Sequence, residues 1–355
     1  MLMSHLREFR WSFLVTFICL AVAGYWGQRW EQGPLAALWV CIVLGVMEVT
    51  LSFDNAVVNA AVLREMDERW RRLFLTVGII VAVFGMRLVF PIVIVVVTTG
   101  LGWVEVGQMA LNDPDEYSRH LTENHTSIAA FGGMFLLLVF LAFLFDNERK
   151  LHWLGAPERR FARLGKLEAI GIVTALGVLY ATQRYLPLTE AQRLTVMTAG
   201  VFGVVLYVMV DSMGALFEHE EDGDAAVAVV KRSGAASFVY LEILDASFSF
   251  DGVIGAFAIT RDVVIIMLGL AIGAMFVRSL TVYLVNRGTL EQYVFLEHGA
   301  MYAIGALAVI MLVSIAHHIP ESVTGTIGVV FIIAALISSV RYRRRHAAHE
   351  GHEAG

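Results

Sequence analysis

Four carboxylates stand where charge is most costly to bury. Glu48 and Asp54 lie in "EVTLSFDNAVVNAAVLRE", and Asp245 and Asp251 lie in "DASFSFDGVIGAFAITRD". Both stretches are otherwise apolar enough to cross a membrane. A carboxylate at the centre of a membrane helix costs ~2.5–3.5 kcal/mol even on insertion scales, so four would cost on the order of 10 kcal/mol unless compensated. Protons, arginines or a bound cation can supply that compensation. Arg87 and Arg278, each in the apolar stretch after a motif, are candidate counter-charges. They would leave −2 on the four ionised acids, a charge that one divalent cation balances.

The other polar groups define the ligand class. The motifs offer the hydroxyls of Thr50, Ser52, Ser247 and Ser249 and the amide of Asn55, with no Cys or His in either copy. An all-oxygen set suits Mn²⁺, Ca²⁺ or Mg²⁺ rather than Zn²⁺ or Cu⁺. The candidate metal-site residues are therefore Glu48, Ser52, Asp54, Asn55, Asp245, Ser249 and Asp251, with Asp211 and Glu242 as further candidates. On a straight helix Glu48, Ser52 and Asn55 share one face. Asp54 lies roughly 240° round from Glu48 at 3.6 residues per turn. Either the helix breaks there or the two acids serve different partners. Gly252 and Gly255 lead to the expectation that any break is clearer in the second copy.

The two stretches are one motif written twice. Aligned without gaps, Ser52, Phe53, Asp54, Ala61 and Arg64 match Ser249, Phe250, Asp251, Ala258 and Arg261. Glu48 faces Asp245, Thr50 faces Ser247 and Glu65 faces Asp262. Apolar residues coincide by chance in membrane helices, whereas acids, hydroxyls and a terminal Arg–acid pair do not.

The elements that must hold these residues are membrane helices. Of the 355 residues 58% are hydrophobic and 16% charged, with a mean hydropathy of +0.70, too little charged surface for a soluble domain. Cys19 and Cys41 lie in apolar runs and offer no disulfide framework. Apolar runs of about 20 residues recur. Ten spans are expected: 11–26, 35–63, 73–99, 128–145, 167–186, 195–217, 235–260, 263–285, 300–316 and 324–340. With the N-terminus inside, nineteen Lys and Arg fall on inner segments and five on outer ones, which predicts cytoplasmic termini. The acidic segment 100–126 then lies outside as a solvated loop. The first motif runs inward and the second outward, the antiparallel relation of an inverted-repeat carrier.

The expected fold is an all-α polytopic membrane protein, an inverted-repeat transporter-like bundle. Its first half is 1–186, its second half 187–340, and 341–355 is a disordered cytoplasmic tail whose His346, His349 and His352 could hold metal only weakly. His317 and His318 are expected at the interface. No phosphate-binding loop is present, so ATP drive is not expected; the G-x-G-D element of presenilin-type aspartyl proteases is absent, so no enzyme is expected, and no resident cofactor. The expected partners are the bilayer, a divalent cation as substrate and protons as counter-ion, without nucleic acid.

These motifs resemble the TerC family of integral membrane proteins, associated with tellurite resistance and metal-ion homeostasis. "EVTLSFDN" looks like that family's acid followed by LS-x-DN, and "DGVIGAFAIT" resembles its D-S-x-P-A-x-F-A-I-T element. Gly252 replaces the serine, and the proline is absent. The resemblance implies a bacterial plasma-membrane carrier related to the wider lysine-exporter superfamily, exporting Mn²⁺ or a similar ion. It assigns family roles to Glu48, Asp54, Asn55 and Asp251. The competing expectation is a non-transporting scaffold in a metal or tellurite stress complex, its acids paired to Arg87 and Arg278 in a dry core.

Overall fold

The computed structural model describes residues 8–30, 33–78, 80–167, 169–217, 234–317 and 319–353. Those residues form helices: α1 (Arg10–Trp26), α2 (Pro34–Leu51), α3 (Phe53–Glu65), α4 (Glu68–Leu73), α5 (Phe90–Thr99), α6 (Trp103–Asn112), α7 (Pro114–Glu123), α8 (His125–Leu144), α9 (Ala156–Leu164), α10 (Ile170–Tyr185), α11 (Glu190–Phe217), α12 (Gly234–Phe257), α13 (Val263–Asn286), α14 (Thr289–Gln292), α15 (Leu296–Ser314) and α16 (Glu321–Glu353). Between α4 and α5 the chain forms two wider π-helical stretches, Phe74–Gly78 and Val81–Val89.

Among the described residues seven helices are long and apolar enough to cross a membrane, or eight if the pair Glu68–Gly78 and Val83–Thr99, bent by 46°, is one span. Two expected spans fall outside that set. Helix α10 has 16 residues, about 24 Å at 1.5 Å per residue, short of the ~30 Å core. Helix α12 carries Glu242, Asp245 and Asp251 along its length.

The apolar residues separate into two clusters. One is built on α3, α8, α11 and α15, the other on α1, α2 and the first half of α13. Helix α12 crosses from the first cluster, at Leu241 and Leu244, to the second, at Val253 and Ala256. Helix α13 crosses the other way, from Leu270 to Leu284. The polar residues of the two motifs lie at the level where the clusters part. A polar layer is thus sealed above and below by packed apolar side chains.

Two expectations are corrected by the end segments. The acidic segment between α5 and α8 is not an extended loop but the helix pair α6 and α7, which buries Val106, Ala110, Tyr117 and Leu121. Asp113 accepts from the Glu116 amide and so caps α7. The expected disordered tail continues α16 as helix to Glu353. The run from Arg341 to Glu353 carries no proline, and Arg, Ala and Glu favour helix although Gly351 does not. His317 is exposed. His318 and the side chains of His346, His349 and His352 lie outside the described residues.

Candidate cation site

The first motif is where the chain departs from regular helix. Helix α2 ends at Leu51, Ser52 takes φ −103° and ψ 17°, and α3 begins at Phe53. The second motif is unbroken from Asp245 to the end of α12 at Phe257. The break is therefore in the copy without glycines, opposite to the expectation. Local polar bonds accompany it. Ser52 donates to Glu48 Oε1 at 3.0 Å, and Asp54 Oδ1 accepts from the Asn55 amide at 3.1 Å. Only the second takes a backbone donor away from the helix ladder; the first fixes the Glu48 carboxylate one turn back. Gly252 serves close approach instead of unwinding: a Cβ placed there would lie 2.9 Å from Glu48 Oε2.

Glu48 is 1% exposed and forms an ion pair with Arg87. Asp54, also buried, points elsewhere, against Gly328 of α16, where a Cβ would stand 3.4 Å from Oδ2. Glu48 and Asp54 thus have different partners, the second of the two geometric alternatives.

A cavity of about 40 Å³ opens beside Arg87, room for about three waters at ~10–15 Å³ each. Ser52, Asn55, Asn59, Asp245, Ser249 and Arg278 supply its polar wall. Asn59 Nδ2 donates to Asp245 Oδ1 at 3.3 Å. Asn55 Oδ1, Asn59 Oδ1 and Ser249 Oγ are buried without a hydrogen-bond partner among the described residues. Their residues are 4%, 5% and 4% exposed. Three orphaned oxygens and a carboxylate on one small cavity are a donor set for a hard cation. No group of three His, Cys, Asp or Glu gathers among the described residues, so most of this oxygen set is neutral.

Arg278 reaches the carbonyl of Leu75 in the first π-helical stretch, not an acid. Glu242 lies against Gly78, where a Cβ would meet its Oε1 at 2.9 Å, and both its carboxylate oxygens lack a hydrogen-bond partner among the described residues. Glu48 in turn lies against Gly273 of α13. Each motif helix thus sets an acid against a glycine of the segment that follows the other motif. Asp211 is exposed on α11 and does not line the cavity. The side chain of Asp251 lies outside the described residues. Asn59 was missed in the sequence because its counterpart in the second copy is Ala256. Its signal was the spacing from Asn55, one helical turn on the same face.

The molecule is therefore a polytopic helical membrane protein with a buried polar cavity between its two motif helices. The chain belongs to the family described as "Protein of unknown function (DUF475)", whose profile matches residues 53–346. That match begins at the first residue of α3 and spans both π-helical stretches and all of α12. Comparison with curated proteins and with solved structures returns no match.

Proposed function

We propose that this chain is a secondary carrier that exports a divalent cation, Mn²⁺ ahead of Ca²⁺, in exchange for protons. The observation that carries the reading is the set of unpartnered Asn55, Asn59 and Ser249 oxygens beside Asp245 on one buried cavity. Oxygens left unpaired on a buried cavity cost free energy that a bound cation recovers. The contacts between the motif helices support an inverted repeat. Glu48 meets Gly252, while Asn59, further along, meets Asp245, earlier in its helix. The order is that of antiparallel neighbours. Counting α10, α12 and the bent pair as spans gives ten, an even number that keeps both termini on the cytoplasmic side. The TerC resemblance agrees in motif and in substrate class, and a bacterial plasma membrane is the corresponding location.

In this reading Asp245, Asn55, Asn59 and Ser249 hold the ion, and Glu48 with Arg87 sets the field beside it. The test is Mn²⁺ flux into proteoliposomes of the full chain. Asp245→Asn and Asn55→Ala are expected to reduce it at least tenfold. Undiminished flux in both variants overturns the site, and absence of flux in the parent protein overturns the function.

The scaffold reading draws on one observation, the Glu48–Arg87 pair, which neutralises one acid without any ion. Against it stands Arg278, bonded to a backbone carbonyl. The scaffold predicts no cation-dependent change in thermal stability.

A further inference from the structure

An open groove lies at the end of the bundle that positive charge assigns to the cytoplasm, and no motif residue lines it. It measures about 550 Å³ and is lined by Asn147, His152, Arg159, Arg160, Arg163 and Lys166. Among the described residues no carboxylate lines it, and none of its three arginines or its lysine has an ion-pair partner.

Helix α9 builds this wall, and its residues fall into three sectors around the axis at 100° per residue. Glu158 and Ala162 are buried and face the bundle. Arg159, Arg160 and Arg163 occupy the next sector. Phe161 and Leu164, 46% and 42% exposed, occupy the third. Basic and exposed apolar sectors side by side are the profile of a helix lying in a membrane interface. The chain length agrees: α8 ends at Leu144 and α10 begins at Ile170, so the segment is tied at both ends to bundle helices. Leu154 and Leu167, also exposed, flank it.

The helix is clamped in place from below. Glu158 accepts from the Leu154 amide at 2.9 Å and from Arg149 Nη1 at 3.3 Å, and lies 3.5 Å from His298 Nε2 of α15. Arg149 also stacks on Phe143, its guanidinium carbon 3.3 Å from the ring centre. The helix that carries the arginines is therefore anchored to the bundle, which fixes where their side chains start.

The geometry points to α9 and its pocket as a binding site for an anionic phospholipid of the cytoplasmic leaflet, with the phosphate between Arg159, Arg163 and Lys166 and the acyl chains along Phe161 and Leu164. A phosphate diester fits the planar guanidinium forks, and the exposed apolar sector distinguishes a lipid from a soluble phosphate.

The experiment uses the full chain in detergent and follows thermal unfolding as phosphatidylglycerol, phosphatidylcholine or inorganic phosphate is added. Phosphatidylglycerol is expected to stabilise the parent protein, and R159Q/R160Q/R163Q is expected to need about tenfold more lipid for the same effect. The charge-matched control R341Q/R344Q/R345Q, in the C-terminal part of α16, is expected to respond like the parent. F161S/L164S is expected to weaken the phosphatidylglycerol response. If the triple pocket variant fails to fold, R163Q alone is expected to shift the response severalfold. An equal response in the parent and the pocket variants overturns the site, and equal stabilisation by inorganic phosphate at the same concentration overturns the lipid.

Discussion

Asn59 Nδ2 and Asp245 Oδ1 are 3.3 Å apart across 186 residues of sequence, joining the two copies of one motif. The bond holds a half-buried carboxylate at the cavity and leaves the amide oxygen of Asn59 without a hydrogen-bond partner among the described residues. Asn59→Leu removes both the donor and the oxygen. Losing one buried polar partner costs ~1–3 kcal/mol. Cation affinity of the full chain, read by calorimetry, is expected to fall about tenfold or more, with the fold intact by circular dichroism.

Arg87 and Glu48 form a pair in which the side chains are 7% and 2% exposed. Removing one member of such a pair leaves a buried charge, at a cost of ~3–5 kcal/mol, whereas removing both costs far less. Arg87→Gln is expected to lower the unfolding midpoint in detergent markedly, and the double variant R87Q/E48Q to recover most of that loss. A double variant as unstable as R87Q would show that Glu48 has other strong partners.

Gly252 and Gly273 both admit Glu48, but against different atoms. A Cβ on Gly252 meets only the carboxylate end of Glu48, 2.9 Å from Oε2, which can swing away. A Cβ on Gly273 meets Glu48 near its own backbone and stands 2.8 Å from the Gly45 carbonyl oxygen. Gly273→Ala is expected to destabilise by ~1–3 kcal/mol through overpacking. Gly252→Ala is expected to leave unfolding nearly unchanged while altering cation binding. Equal unfolding midpoints in the two variants would contradict this packing account.

Asp262 gathers four donors at the start of α13. Oδ1 accepts from the amides of Val264 and Ile265 at 3.0 and 3.1 Å. Oδ2 accepts from Trp26 and Trp30 Nε1, each at 2.9 Å. Asp262→Ala removes a helix cap worth ~0.5–2 kcal/mol and unpairs two indoles. A lower unfolding midpoint and altered tryptophan emission are expected, with Asp262→Asn intermediate. Unchanged emission in Asp262→Ala would contradict the indole contacts.

The terminal Arg–acid pair shows how far the repeat can be read. It recurs as Arg64–Glu65 and Arg261–Asp262, yet the partners differ. Arg64 lies 3.9 Å from Glu297, whereas Arg261 pairs with Asp115. A duplicated sequence preserves residue types along each helix. It does not dictate which neighbours arrive from distant parts of the chain.

By itself the sequence determined that this is a helical membrane protein with a duplicated acidic motif. Composition and apolar run length follow directly from the solvent a segment must face. It also supplied the carboxylate, amide and hydroxyl side chains that line the cavity, because side-chain type is a property of single residues. Only the tertiary structure decided that Arg87 takes Glu48, that Arg278 takes a backbone carbonyl, that Asp54 turns to α16, and that Asn59 joins Asp245. Those choices depend on which helix faces meet, and a break at one serine rotates every side chain beyond it. Helical periodicity along a single segment carries no information about its neighbours, so the cavity became visible only when α3, α12 and α13 were brought together.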